Sequence, residues 1–339
     1  MPTILDVARK ANVSAMTVSR VINGSGPVNE ETRRRVEQAM KELDYYPNSN
    51  ARSLVKKETR LLSLLITDIT NPFYTTLARG AEDAAKRLGY RLIFCNSDED
   101  PAKEKEYIEM LLSTQVDGVL FAPSGDDSLK NLRLLRKQGI PFVLIDREVP
   151  NLECDKVLGD SMLGAHKLME HLIENGHRRI ACITGPKHIS TARDRLQGYL
   201  ATLKLHDLEI DPSMIIETEY TLGSHQEVMQ KLLELQTLPT AIFAANNFVA
   251  LGAIKELRKH GWKVPEDISV VCFDDLDLLQ DLDPFLTVAK QPSYDFGVFG
   301  VQMLVERILG TATSNFRTIV LPPEIIIRRS SRNINAALE

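Results

Sequence analysis

The sequence predicts a small all-α head followed by an α/β core of two lobes with parallel sheets. Three observations carry this reading. The first sixty of the 339 residues break into short helical stripes separated by turn signals. Beyond Arg60, short apolar runs alternate with helical patterns. Charge divides along the same line: residues 1–60 hold 11 Lys+Arg against 7 Asp+Glu, a net of +4, so the rest carries −9 of the total −5. The length exceeds one typical domain, and 43% hydrophobic with 26% charged residues allows sizeable cores in a soluble chain.

In the head, Thr3 is the expected N-cap of a first helix, with Asp6 three residues on and Leu5, Ala8 and Ala11 as its apolar stripe. Asn12-Val13 makes a tight turn. Ser14 caps a second helix, Ala15 to Ile22, whose inner face carries Val18, Val21 and Ile22 and which Asn23-Gly24 stops. Asn29 caps a third helix through Leu43, with Val36, Ala39, Met40 and Leu43 inside. This is a helix-turn-helix pattern. A basic head on an acidic body suits a polyanion partner. The second helix exposes Ala15, Met16, Thr17, Ser19 and Arg20. Small or flexible residues there can approach base edges, Arg20 can donate two hydrogen bonds to guanine, and hydroxyls suit phosphates.

In the body, strands are expected at Leu61–Ile66, Arg91–Cys95, Gly118–Phe121, Phe142–Ile145, Ile180–Thr184, Ala241–Ala244 and Ile268–Phe273. Helices are expected at Phe73–Leu88, Ala102–Leu112, Leu129–Lys137, Gly164–Glu174, Thr191–Leu205, His225–Leu235 and Ala250–Lys259. This βαβ alternation means parallel sheets covered by helices, in two runs and therefore two lobes, with a cleft where ligands meet the strand C-terminal ends.

No enzyme motif is present: no GxSxG, GxxxxGK[ST], HExxH or full GxGxxG. The four cysteines form no CxxC pair and read as apolar fillers in reduced cytosol, and His166, His171 and His177 as surface or capping residues rather than metal ligands. No secretory signal or membrane span is visible, so a cytoplasmic protein without resident metal, cofactor or membrane partner is expected. Polar residues instead recur past strand ends: Asp68 with Asn71, Asp146-Arg147, Arg193 with Arg195, Asn246-Asn247, Asp274-Asp275 and Lys290-Gln291. Phe73, Tyr74, Phe248 and Phe273 stand beside them. Carboxylates, amides and guanidiniums chelate adjacent hydroxyls and aromatic faces stack on sugar C–H surfaces, a mixture that suits a small polyol.

The run from Leu5 to Gly24, LDVARKANVSAMTVSRVING, together with Thr32–Val36 and Leu43–Asn48, resembles the lac repressor/galactose repressor family. The likeness continues through Asn71-Pro72-Phe73-Tyr74, Glu174–Arg178, Ala250–Ala253 and Val264–Asp275, essentially residues 3–330. It implies a DNA-binding transcriptional regulator, a repressor of carbohydrate-utilisation genes. Its core would have the fold of periplasmic sugar-binding proteins, and a small sugar-like effector would control it. By the resemblance, Ala15, Met16 and Arg20 read bases, while Thr3, Ser14, Thr17, Ser19, Asn23, Thr32, Tyr45 and Asn48 contact phosphates. Asn50–Val55 matches a hinge helix, with Leu54 placed to wedge into the minor groove. Asn71, Phe73, Tyr74, Asp146, Arg147, Arg195, Asn246, Phe273, Asp274 and Gln291 fall at sugar-contact positions, in a set most like ribose repressors and ribose-binding proteins. Asn247, Cys272 and Ala122 depart from that pattern. The implied organisation is a head at 1–47, a hinge at 48–60 and a core at 61–339. Lobe 1 of the core would take about 61–160 plus 290–320, and lobe 2 about 161–289 plus 321–330. A palindromic operator implies a homodimer. Two alternatives are a catabolite-control-type regulator using a phosphorylated carrier protein and a sugar-transport binding protein. The Asp146, Arg147 and Arg195 set argues against the first, and the attached head against the second.

Overall fold

Helix α1 (Ile4–Ala11) begins where its orphan amides find a side chain. Thr3 Oγ1 accepts from the Asp6 amide at 3.4 Å, and the Asp6 carboxylate accepts from the Thr3 amide at 2.9 Å. Asn12 ends it in the left-handed region, at φ 54°. Helices α2 (Ala15–Asn23) and α3 (Glu30–Glu42) start on Ser14 and Asn29, whose side chains accept from Thr17 and Thr32. Gly24 closes α2 at φ 59°, a conformation that glycine adopts without steric cost. The three helices enclose a core of Val7, Ala8, Ala11, Val18, Val21, Val36 and Ala39. The expected inner stripe of α1 needs one correction: Leu5 is 61% exposed, and Val7 is the buried residue.

The computed structural model describes residues 2–46, 58–221, 226–235, 237–276 and 284–335. They fall into two compact units, 1–59 and 60–339. The expected hinge helix, with Asn48 and Leu54, lies outside the described residues.

The second unit holds two six-stranded sheets. The first, in order β11-β5-β4-β3-β1-β2, comprises β1 (Leu61–Ile66), β2 (Arg91–Asn96), β3 (Gly118–Phe121), β4 (Phe142–Asp146), β5 (Asp155–Gly159) and β11 (Thr318–Leu321), all paired parallel. The second, in order β12-β10-β9-β8-β6-β7, comprises β6 (Ile180–Thr184), β7 (Ile215–Glu217), β8 (Ala241–Ala244), β9 (Ser269–Phe273), β10 (Thr287–Lys290) and β12 (Glu324–Ile326). It departs from the all-parallel expectation, because β12 runs antiparallel to β10. The chain crosses between the sheets three times: after β5, after β10 and after β11.

Helices α4 (Pro72–Arg87), α5 (Pro101–Thr114) and α6 (Leu129–Lys137) follow β1, β2 and β3. Helices α7 (Ser161–Glu174), α8 (Ser190–Leu205), α9 (Gln226–Leu233) and α10 (Asn247–Lys259) precede or follow the strands of the second sheet. Helix α11 (Ser293–Ile308), absent from the expected pattern, returns to the first lobe and packs on α4. The pair meets glycine to glycine. A Cβ on Gly80 would run into the Tyr294 carbonyl, and one on Gly297 into the Leu77 carbonyl.

All four cysteines are buried and free. His177 corrects the surface expectation: it is 1% exposed and bonded to Thr240 Oγ1 at 2.9 Å and to the Arg332 carbonyl at 3.2 Å. Among the described residues, no helix is long and apolar enough to cross a membrane, and no cluster of His, Cys, Asp and Glu could hold a metal ion.

Candidate functional site

On the head, α2 presents Met16 at 66% exposure with Arg20 one turn on, also exposed. The two side chains touch: Arg20 Nη2 lies 3.7 Å from Met16 Sδ. Ala15, Thr17 and Ser19 are half-buried on the same short helix. Ser14 and Thr17 share a hydroxyl hydrogen bond of 2.9 Å, and Asn23 Nδ2 donates to Ser19 Oγ at 3.1 Å. Thr3 is exposed at the start of α1, Thr32 is half-buried in the first turn of α3, and Tyr45 packs against the head core. The arrangement is a short helix whose N-terminal side groups are small or flexible, with one long guanidinium projecting from it. Helix N-termini and hydroxyls hold phosphates, and such a helix can enter a major groove.

In the core, the expected polar residues come together at the strand C-terminal ends. Asp146 ends β4 and Asp274 follows β9, both left-handed at φ 65° and 67°, a conformation that aspartate tolerates better than most residues. Both carboxylates are buried. Tyr74, from α4, donates its hydroxyl to Asp146 Oδ2 at 2.8 Å. Gln291, just past β10, donates Nε2 to Asp274 Oδ1 at 2.8 Å. Arg195, from α8, gives Nη1 to the Ala245 carbonyl at 2.7 Å and holds Nη2 3.5 Å from Asp274 Oδ2. Its guanidinium lies 3.8 Å from the centroid of the Phe273 ring, so that ring face carries Arg195. Burial pushes both carboxyls above their ordinary range, opposed by Arg147 and Arg195 at Asp146 and by Arg195 and the Gln291 hydrogen bond at Asp274.

Three other expected residues sit nearer to structural duty. Asn71 caps α4 through Phe73 N–H, Asn246 caps α10 through Val249 N–H, and Phe73 packs edge-on to Tyr74 and Phe296. The lobes are joined directly: Asn247 Nδ2 donates to Asn71 Oδ1 at 3.1 Å, Glu148 N–H to Ser190 Oγ at 3.0 Å, and Arg193 to Asp126 at 2.9 Å.

Two cleft residues escape the sequence pattern. Glu99 takes both terminal nitrogens of Arg147, each at 2.6 Å. Desolvation would lower the Arg147 pKa, but the Glu99 charge and hydrogen bonds hold it well above the ordinary value. Tyr220, past β7, is buried and pushed up to about 12 by burial, against the charges of Arg195 and Arg147. Arg147 Nε, Arg195 Nε, Gln291 Oε1 and the Tyr220 hydroxyl are buried without a hydrogen-bond partner among the described residues. A buried unpaired polar atom costs about 1–3 kcal/mol, and these four sit on residues that both lobes contribute near the strand C-terminal ends, donors and acceptors of the kind that suit a polyhydroxylated molecule. Gln291 reaches its place because residue 159 is glycine; a Cβ there would collide with Gln291 Oε1.

Comparisons with known proteins match both units. Residues 3–48 match the family described as bacterial regulatory proteins, lacI family. Residues 59–326 match periplasmic binding proteins and sugar binding domain of LacI family. The HTH-type transcriptional regulator DegA of Bacillus subtilis (strain 168) is 37% identical over 98% of this chain and 99% of its own length. The transcriptional regulator CelR–cellobiose complex aligns at 32% identity and TM-score 0.73 over 97% of this chain and 100% of that one. The lac repressor dimer bound to operator and the anti-inducer ONPF aligns at 29% identity and TM-score 0.83 over 98% and 99%. With family matches to both units and a regulator 37% identical over nearly its whole length, the chain belongs to the lacI family of bacterial regulatory proteins, DNA-binding transcriptional regulators.

Proposed function

We infer that the chain works as a homodimer that represses carbohydrate-utilisation genes from a palindromic operator and answers to a small sugar-like effector held between its lobes. The observation that carries the effector reading is the cluster of buried, partly unpaired polar groups contributed by both lobes: Asp146 and Arg147 from one, Arg195, Tyr220 and Asp274 from the other, with Gln291 at a crossing. A ligand that bonds to both lobes favours their closed arrangement, and it moves the equilibrium only by its differential affinity for the two states. The cellobiose held by CelR supports a sugar. The dimeric lac repressor on its operator supports a two-headed protein, each head taking half of a two-fold site.

The test is a thermal-shift screen of sugars, in which a ligand at one hundred times its Kd adds about 2.7 kcal/mol of stability. The stabilising sugar should also change operator affinity. If no sugar stabilises the protein while a phosphorylated carrier protein changes operator binding, the protein-co-effector alternative is the better reading.

The head has its own test. Arg20→Ala is expected to cost about 1–3 kcal/mol on a specific operator and to relax preference at one base pair. The motivation is the exposure of Arg20 on α2. Unchanged affinity and unchanged preference in a competition assay would remove Arg20 from the base-reading set.

A further inference from the structure

The cations of the cleft already have anionic or carbonyl partners. Glu99 occupies the whole fork of Arg147, while Arg195 is divided between the Ala245 carbonyl and Asp274. Three carboxylates, Glu99, Asp146 and Asp274, face two guanidiniums, Arg147 and Arg195, so the formal charge is −1.

The helix starts offer an anion no better reception. In α4 the Phe73 amide is bonded to Asn71 Oδ1 at 3.0 Å, and in α10 the Phe248 and Val249 amides are bonded to Asn247 and Asn246, each at 2.8 Å. Helix α8 has no side-chain cap, but the hydroxyl of its first residue, Ser190, already accepts from the Glu148 amide, and the carboxylates of Asp194, Glu148 and Asp160 gather about its first turns with Arg193 and Arg195. At the rim, Arg193 is held by Asp126 and Lys156 by Glu148.

Glu99 is also held firmly in its place. Asp98 and Glu99 are both left-handed, at φ 53° and 58°, and the Glu99 amide bonds to the Thr67 carbonyl at 3.1 Å. Asp98 is tied by Asn96 and Lys103. A phosphate carries about −1.5 to −2 charges at neutral pH. To reach Arg147 it would have to displace Glu99 and leave that carboxylate beside it in a desolvated site, where unpaired charge is costly. A neutral hydroxyl needs no such exchange.

We propose that Glu99 is a specificity-determining residue of the cleft, restricting the effector to an uncharged polyol and excluding sugars that carry a phosphate or carboxylate. This rests on reading the cleft as a sugar site. The experiment titrates the full chain calorimetrically with neutral aldopentoses and aldohexoses and, for each, its monophosphate. It is run on wild type, Glu99→Gln and Glu99→Asp. The expected result is a neutral sugar that binds wild type at least 10-fold tighter than its own phosphate. Glu99→Gln should shrink that ratio by 10-fold or more, and Glu99→Asp, which keeps the charge, should retain most of it. A merely structural role for Glu99 would weaken both ligands together and leave the ratio unmoved.

A phosphate that binds wild type as tightly as its parent sugar overturns the neutral-ligand class while leaving the cleft a sugar site. A wild type that discriminates with the same ratio in Glu99→Gln overturns the assignment to Glu99. A panel in which nothing binds, extended to disaccharides such as cellobiose, removes the sugar reading itself, and this inference with it. Should Glu99→Gln fail to fold, the wild-type ratio and Glu99→Asp still decide the ligand class.

Discussion

Asp155→Ala should lower the stability of the core by about 3 kcal/mol, the low end of what removing one partner of a buried ion pair costs. Asp155 is 1% exposed at the start of β5. It accepts from Arg307 Nε at 2.6 Å and Nη2 at 2.9 Å, and from the Arg317 amide at 2.7 Å. One carboxylate thus ties a strand to α11 and to the segment leading into β11. The alanine variant leaves Arg307 without its counter-charge where only its edge meets water. At roughly 2–4 °C per kcal/mol for a core of this size, the melting temperature should fall by about 6–12 °C. Asp155→Asn, which keeps an acceptor, should lose less.

The pH dependence of this loss has a definite sign. Although burial opposes it, hydrogen bonds from Arg307 and Arg317 hold the Asp155 carboxyl below its ordinary value of 3.8. The stabilisation is therefore complete above that value and fades as pH falls through the lower folded-state pKa. The gap between wild type and Asp155→Ala should stay constant near neutrality and narrow only in acid. A loss under 1 kcal/mol at pH 7 in urea unfolding would mean that the Arg307 side chain finds water instead.

Arg195→Ala and Asp274→Ala should each leave effector-free operator binding nearly intact and abolish the response to the sugar found in the screen. Arg195 and Asp274 share one buried contact at 3.5 Å in the second lobe, whereas the expected DNA contacts lie in the head and the hinge. Ligand coupling between sites is commonly 1–3 kcal/mol, or about 5- to 150-fold in affinity, and that factor is what the variants should lose. The measurement is operator affinity with and without sugar at its wild-type saturating concentration. A full response from both variants would place the effector elsewhere.

The head was legible because its signals are local. Thr3, Ser14 and Asn29 announce their caps in one dimension, and the structure puts a side-chain acceptor at each. Five core elements, β1, β3, β6, β8 and α6, run between the residues that the apolar pattern picks out. Helix α11 was not legible, because Gly297 and Gly300 read as breakers. In space they permit contact: Gly297 with α4, and Gly300 with Leu120 and Ile145 beneath it. Strand β5 was hidden because its Asp155 and Lys156 are polar, and only the distant Arg307 and Arg317 explain the buried aspartate. Within the cleft, Asp146, Arg195, Asp274 and Gln291 stood out at strand ends. Glu99 did not, because the run Ser97-Asp98-Glu99-Asp100 looks like a solvated acidic loop until Arg147 arrives from 48 residues away. Tyr220 carried no pattern at all.

The three crossings between the lobes bear on how the protein is made. The first sheet waits for β11, at Thr318–Leu321, to complete its edge, and the second waits for β10 and β12, at Thr287–Lys290 and Glu324–Ile326. Helix α11, which covers the first sheet beside α4, also lies in this late stretch. A ribosome therefore releases the head early, since every residue of its small core lies before Tyr46, while both lobes stay unfinished until Ile326 has been added. At about 5–20 residues per second, the stretch from Arg60 to Ile326 takes roughly 13–53 seconds to appear. Throughout that interval a nascent chain would carry a folded head ahead of sheets whose edges are still open.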